Sequence, residues 1–205
     1  MGTLTVRPTS YQTGVDGSAF TVTNAANIYD GSDSTSGTLA MTGSTLNEGY
    51  DIAFQFDCSA LPKDVVVESV DFTWTGKTNY ADRFINVWIQ ARQSSALKGS
   101  SESVSDSSSL RTETLTGLSY TYEELAANLN LLFHSDHGGN TKVGYYYLYD
   151  VYAVITYSPP QALKIRKDGA WAAASAVYQK VNGAWVKKSD LTGVFSKDKR
   201  YRKRT

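Results

Sequence analysis

Three stretches between Tyr50 and Gln93 place apolar residues at every second position. In YDIAFQF (50–56), Ile52, Phe54 and Phe56 fall on one side of an extended chain. In VVVESVDFTWTG (65–76), Val70, Phe72 and Trp74 do the same. In RFINVWIQARQ (83–93), Ile85, Val87, Ile89 and Ala91 fall together, with Phe84 and Trp88 opposite. Side chains along a strand point alternately to its two faces, so each stretch predicts a strand with one buried side. Pro62, in CSALPKD, fixes a turn between the first two. KVGYYYLYDVYAVITY (142–157) predicts a long aromatic strand with Val151, Ala153, Ile155 and Tyr157 on one side and Tyr152 and Val154 on the other. Residues 1–49 add short runs, LTVRP and AFTVT, between turn residues, and the Ser-rich stretch 94–119 predicts a long surface connection with one strand at RTETLTG.

The period changes once. In YTYEELAANLNLLF (120–133), Thr121 stands three residues before Glu124, the spacing of a capping box, and Leu125, Leu129 and Leu132 follow on one helical face. A helix is predicted there, ended by HSDHGGN (134–140). After Pro159–Pro160, residues 165–186 read twice as strand, tight turn, strand. Asp168-Gly169 and Asn182-Gly183 suit two-residue hairpin turns, and each is followed by Ala-Trp. Two such hairpins cannot bury a core by themselves, so Trp171 and Trp185 are expected to anchor them on a larger body.

Composition sharpens this picture. Of 205 residues, 41% are apolar and 12% aromatic, with 14 Tyr against 2 Met, a bias that suits strands. The expected fold is all-β: an antiparallel β-sandwich with one short helix over residues 1–160, a β-hairpin appendage at 161–195 and a basic tail at 196–205. Cys58 is alone, among Phe54, Phe56 and Leu61, and reads as a buried, inert thiol. No apolar run approaches the roughly 20 residues that span a bilayer, so no membrane is expected as partner, and the product should stay in the cytoplasm unless it leaves within an assembly. The zero net charge hides a division. Residues 1–160 hold 8 Lys+Arg against 17 Asp+Glu, net −9, and residues 161–205 hold 12 against 3, net +9.

Catalytic constellations are absent from the pattern. His134, Asp136 and His137 would supply at most three metal ligands from one short segment, and Asp30 and Asp33 lack the further acids of a calcium loop, so no metal or cofactor is expected. No Ser/His/Asp order, phosphate-cradling loop or Cys/His cluster occurs, and the chain reads as non-enzymatic. Aromatic residues are the better lead. Tyr80, Trp88, Tyr145 and Tyr147 are candidates to stack on a ligand such as a sugar, or to anchor an interface. In the tail, Lys197, Lys199, Arg200, Arg202, Lys203 and Arg204 suit an acidic protein surface better than nucleic acid, which the acidic sandwich would repel.

The order of these features resembles a known group. Phe54-Gln55-Phe56-Asp57 running into SALPKDVVVESVDFTW, then TYEEL, then YDVYAVITYS, is similar to jelly-roll sandwiches found in carbohydrate-binding modules of secreted bacterial proteins and in virion proteins of tailed bacteriophages. The paired hairpins resemble C-terminal repeats of phage tail and appendage proteins. NAANIYDGSDST (24–35) resembles a stretch of galactose-binding-like phage sandwiches, with Ser32 where those carry an acid, which removes a ligand from any calcium site the likeness implies. The resemblance implies a structural component of a phage particle, in tail, collar or baseplate, mounted through its basic segment on other virion proteins and on copies of itself. Its alternatives are a capsid decoration or head-fibre protein, or a module that binds host-surface glycans.

Overall fold

The computed structural model describes residues 1–43, 45–79, 84–93, 96–103, 108–138 and 143–159, and beyond them the strands 164–167, 170–173, 177–181 and 184–188. For residues 85–88, 93, 96, 97, 99–103 and all those after 159, the description is of the backbone alone. The alternating stretches become strands. In chain order these are β1 (Gly2–Val6), β2 (Pro8–Thr13), β3 (Ser18–Ala19), β4 (Thr21–Thr23), β5 (Gly37–Met41), β6 (Leu46–Phe56), β7 (Val66–Thr78), β8 (Phe84–Gln93), β9 (Ala96–Ser103), β10 (Arg111–Leu118), β11 (Leu129–Gly138) and β12 (Gly144–Ser158). Two short helices interrupt them, α1 (Ala26–Tyr29) and α2 (Tyr122–Ala127).

These strands form two sheets. The first runs β10-β7-β12-β5-β4, and β1 pairs with the far half of β12. The second runs β2-β6-β11-β8-β9, with β3 adding a short parallel bridge to β6. All the other pairings are antiparallel, and the result is a jelly-roll-like β-sandwich. Inner faces meet through aromatic rings. Phe56 of the second sheet lies edge-on to Phe72 of the first at 5.4 Å between centroids. Phe133 of the second sheet sits 4.8 Å from Tyr146 of the first and 5.9 Å from Phe20, while Phe84 sits 5.8 Å from Tyr146. Burial pushes the Tyr146 hydroxyl above its ordinary range, and pushes the Cys58 thiol up to about 11. The indole of Trp74 is buried and donates to Glu113 Oε2 at 3.2 Å.

The expected inner residues Ile52, Phe54, Phe56, Val70, Phe72, Trp74, Val151, Ala153 and Ile155 are all buried. Three expectations are corrected. The helix over 120–133 stops at Ala127: the capping box forms between Thr121 and Glu124, but Asn128 is already extended at φ −173°. Leu129, Leu131 and Phe133 also repeat every second residue, and as β11 they bury their backbone between β6 and β8. His134 and His137 therefore belong to a strand rather than a turn. Second, Phe84 joins Ile89 and Ala91 in the core instead of facing away from them. Between the pairs His134–Trp88 and Asp136–Ile85, β8 takes three steps for two on β11, a bulge that swaps the faces. Third, residues 96–103 are not a connection but the edge strand β9, which needs pairing on one side only.

Residues Pro160–Thr205 form a separate unit. Two further strand pairs lie in it, β13 (Lys164–Lys167) with β14 (Ala170–Ala173), and β15 (Val177–Val181) with β16 (Ala184–Lys188). Trp171 is the register partner of Arg166 and Trp185 that of Lys180. The residues that connect each pair, and the tail residues Lys197, Lys199, Arg200, Arg202, Lys203 and Arg204, lie outside the described residues. Among the described residues no helix is long and apolar enough to cross a membrane.

Phe133→Ala should destabilise the sandwich by about 3–5 kcal/mol, the usual cost of emptying a buried aromatic site, measured as a lower urea midpoint with unchanged slope. The Glu124 carboxylate accepts from Lys98 Nζ and from the Thr121 amide, and these bonds, the lysine first, hold its carboxyl below the ordinary value. A depressed carboxyl stabilises the fold above its unfolded pKa and loses that contribution as pH falls through the folded one. Glu124→Gln should therefore cost stability at pH 7, and the gap between variant and parent should close in chemical unfolding series carried below the ordinary glutamate value of 4.5.

Candidate functional site

The zigzag of β12 divides its tyrosines. Tyr146 points into the core, whereas Tyr145 and Tyr147 stand on the outer face of the first sheet, near-parallel at 26° with centroids 6.4 Å apart. Further along, Lys77 Nζ lies 5.9 Å from the Tyr149 ring centre and the Arg7 guanidinium 5.6 Å from that of Tyr152. Arg7 also holds the buried Asp150 with two hydrogen bonds of 3.1 and 3.2 Å. Trp88 lies in the other sheet, as the register partner of His134. Tyr80 lies outside the described residues. The three described aromatic candidates are thus divided between the two sheets.

A different set is. On the outer face of the second sheet, side chains from four strands line up in rows across β2, β6, β11 and β8. One row holds Ser10, Gln55, Asn130 and Arg92; the next holds Gln12, Ala53, Leu132 and Gln90; a third brings Asp51 beside His134. Leu132 and Ala53 make an apolar floor, buried although neither belongs to the sandwich core. Around it stand amides and a guanidinium. Ser10 Oγ donates to Gln55 Oε1 at 2.7 Å, and Arg92 donates to Gln90 Oε1 from Nη2 at 3.2 Å and from Nε at 3.4 Å. Asn130 is buried, and among the described residues no donor reaches its Oδ1.

The loop between β2 and β3 overhangs this face. The fully buried Asp51 accepts the backbone N–H groups of Val15 at 2.6 Å and Asp16 at 2.7 Å, one on each carboxylate oxygen. Gly14 adopts a left-handed φ of 65°, and Gly17 comes so close to β6 that a Cβ there would meet the Gly49 carbonyl at 2.8 Å. So pinned, the loop presents the Asp16 carboxylate to Arg92 Nη1 at 2.5 Å. Strands lie about 4.8 Å apart, so a bond between β8 and a loop seated on β6 passes over β11. At the other end of the face, His134 Nε2 and Asp136 Oδ1 are 3.1 Å apart.

Alternation sends the part-exposed His134 outward and the fully buried His137 inward, so the pair cannot share an ion. Both oxygens of Asp30 close their own turn, accepting from the Ser32 amide at 2.8 Å and from Thr35 Oγ1 at 2.7 Å. Among the described residues no group of three or more His, Cys, Asp or Glu is gathered as an ion would need. What the face offers to solvent is paired donors and acceptors on planar groups, above a buried apolar layer of Leu132 and Ala53, the chemistry that meets hydroxyl groups.

No protein-family model matches the chain, and no curated protein matches it. Solved structures do. A CBM4 structure is 12% identical, covering 77% of this chain and 95% of its own, with a TM-score of 0.42. TmCBM61 in complex with β-1,4-galactotriose is 6% identical, over 72% of this chain and 89% of that one, with a TM-score of 0.44. The CBM22-1 xylan-binding domain of Xyn10C from Paenibacillus barcinonensis is 18% identical, over 76% and 94%, with a TM-score of 0.37. At such TM-scores the fold assignment stands on this chain's own strand pairing and core.

Asp51→Ala should remove two charge-assisted hydrogen bonds and cost roughly 2–3 kcal/mol. Hydrogen exchange should then show the amides of Val15 and Asp16 losing protection well before those of β6.

Proposed function

We propose that the sandwich is a glycan-binding module whose ligand lies across the outer face of the second sheet. The observation that carries this reading is the row of Gln55, Asn130 and Arg92 beside an apolar floor, with a buried amide oxygen on Asn130 that has no donor among the described residues. Buried polar atoms are nearly always satisfied, so an unsatisfied acceptor beneath such a row marks a place for a further donor, a water or a hydroxyl admitted where the covering side chains part. The exposed Gln12 and the part-exposed Gln55, Gln90 and Arg92 can each meet neighbouring hydroxyls.

The reading is of binding without catalysis. Each of the three acids near the face is engaged: Asp16 with Arg92, Asp51 with two backbone amides and Asp136 with His134. The phage setting is a further part of the proposal, supported by the sequence resemblance and by the charge division between residues 1–160 and 161–205. A glycan-binding sandwich on an acidic head with a basic foot suits adhesion to a host surface, and the face described here does not depend on that setting.

A glycan array probed with the full chain, followed by calorimetry on the ligands it captures, tests the reading. Gln55→Ala and Gln12→Ala should each weaken binding about tenfold, the share of one lost polar contact, while Tyr147→Ala on the opposite sheet leaves it unchanged. Loss through Tyr147→Ala with retention in both glutamine variants would move the site to the first sheet, and silence across the array would end the proposal.

A further inference from the structure

We infer that Asp16 acts as a charge filter, masking Arg92 so that the face takes uncharged glycans and turns away those carrying carboxylate or sulfate. The inference rests on the glycan reading and deepens it. A guanidinium among amides is ordinarily the group that recognises an anion, because its planar fork matches a carboxylate with two parallel hydrogen bonds. Arg92 is placed for that role, on the same row as Gln55 and Asn130, with its side chain 15% exposed. Its charge is already answered by Asp16.

A surface ion pair would ordinarily count for little, since two long side chains rarely hold one geometry. This one is built. Asp16 is not free to wander, because its own amide and that of Val15 are fixed on Asp51, and Gly14 and Gly17 allow the loop to lie against β6. From that anchored backbone the short aspartate side chain reaches Arg92. The guanidinium is answered by Asp16, and Asp51 and Asp136 add two further acids along the same face. The other described cation near this sheet, Lys98 of β9, is bonded to Glu124 and sits 5.1 Å from the Tyr120 ring centre. The sandwich itself carries 8 Lys+Arg against 17 Asp+Glu over residues 1–160, so its own field at longer range does not attract an anion. An uncharged sugar loses nothing by this arrangement, because the remaining N–H groups of Arg92 and the four amides still donate and accept.

The test uses the full chain and hexasaccharides of β-linked glucose, galactose and xylose, the first two each beside a counterpart with C6 oxidised to carboxylate, the third beside a glucuronate-bearing form. The parent protein should bind at least one neutral member and bind its acidic counterpart at least tenfold more weakly. Asp16→Asn should close most of the gap between acidic and neutral members, with the gain suppressed by added salt, as an unmasked charge requires. Adding Arg92→Gln to that variant should abolish the gain. Asp64→Asn, which changes net charge equally at an exposed turn between β6 and β7, should change nothing. Equal binding of acidic and neutral members by the parent, or an unchanged ratio in Asp16→Asn, overturns the filter and leaves the glycan reading standing. Failure of the parent to bind any member or any array glycan overturns both.

Discussion

Two twisted sheets lie about 10 Å apart only if side chains from both inner faces fill the gap without voids. Here rings do most of the filling, and the contact between Phe133 and Tyr146 stands at their centre. Phe133 belongs to the middle strand of the second sheet and Tyr146 to the middle strand of the first, so this contact fixes the height of one sheet over the other. Phe20 and Phe84 extend it sideways, and the Phe56–Phe72 pair repeats the arrangement farther along. Everything on the outer faces is positioned relative to these rings.

The strand that supplies Phe133 also supplies the outer row. With Leu129, Leu131 and Phe133 committed inward, Asn130, Leu132 and His134 have to face the other way, between residues of β6 and β8 that obey the same alternation. Ordinarily an outward Leu would be exposed. On this sheet Leu132 is buried, because long polar neighbours and a pinned loop stand around it, and the outer face acquires a floor and walls. The core and the candidate site are thus two sides of one strand.

Much of the sandwich was legible as a pattern of alternation. Ile52, Phe54 and Phe56, or Val70, Phe72 and Trp74, allow no other assignment, because only one face of each run can be buried. LNLLF was ambiguous: its leucines satisfy a helical spacing from Leu125 and a strand spacing from Leu129, and partners on both sides decided for the strand. The bulge in β8 could not be foreseen, since it depends on pairing rather than on local composition. The tyrosine run could be recognised as half-buried, and Tyr146 proved to be the inward member. The polar face left no local trace. Ser10, Gln55, Arg92 and Asn130 come from four distant segments, and glutamine and asparagine carry no motif that would single them out.

Strand β1 closes the first sheet by pairing with the far half of β12, so that Leu4 lies beside Ile155. Contacts so remote along the chain raise the contact order and slow the search for the native arrangement. While the polypeptide is being synthesised, β1 waits without its neighbour until the chain has emerged past Tyr157, and β7 likewise lacks β12. From the emergence of Trp74 until β12 follows, the nascent sandwich carries Phe72 and Trp74 without the strand that covers them, an interval in which uncovered apolar surface favours aggregation.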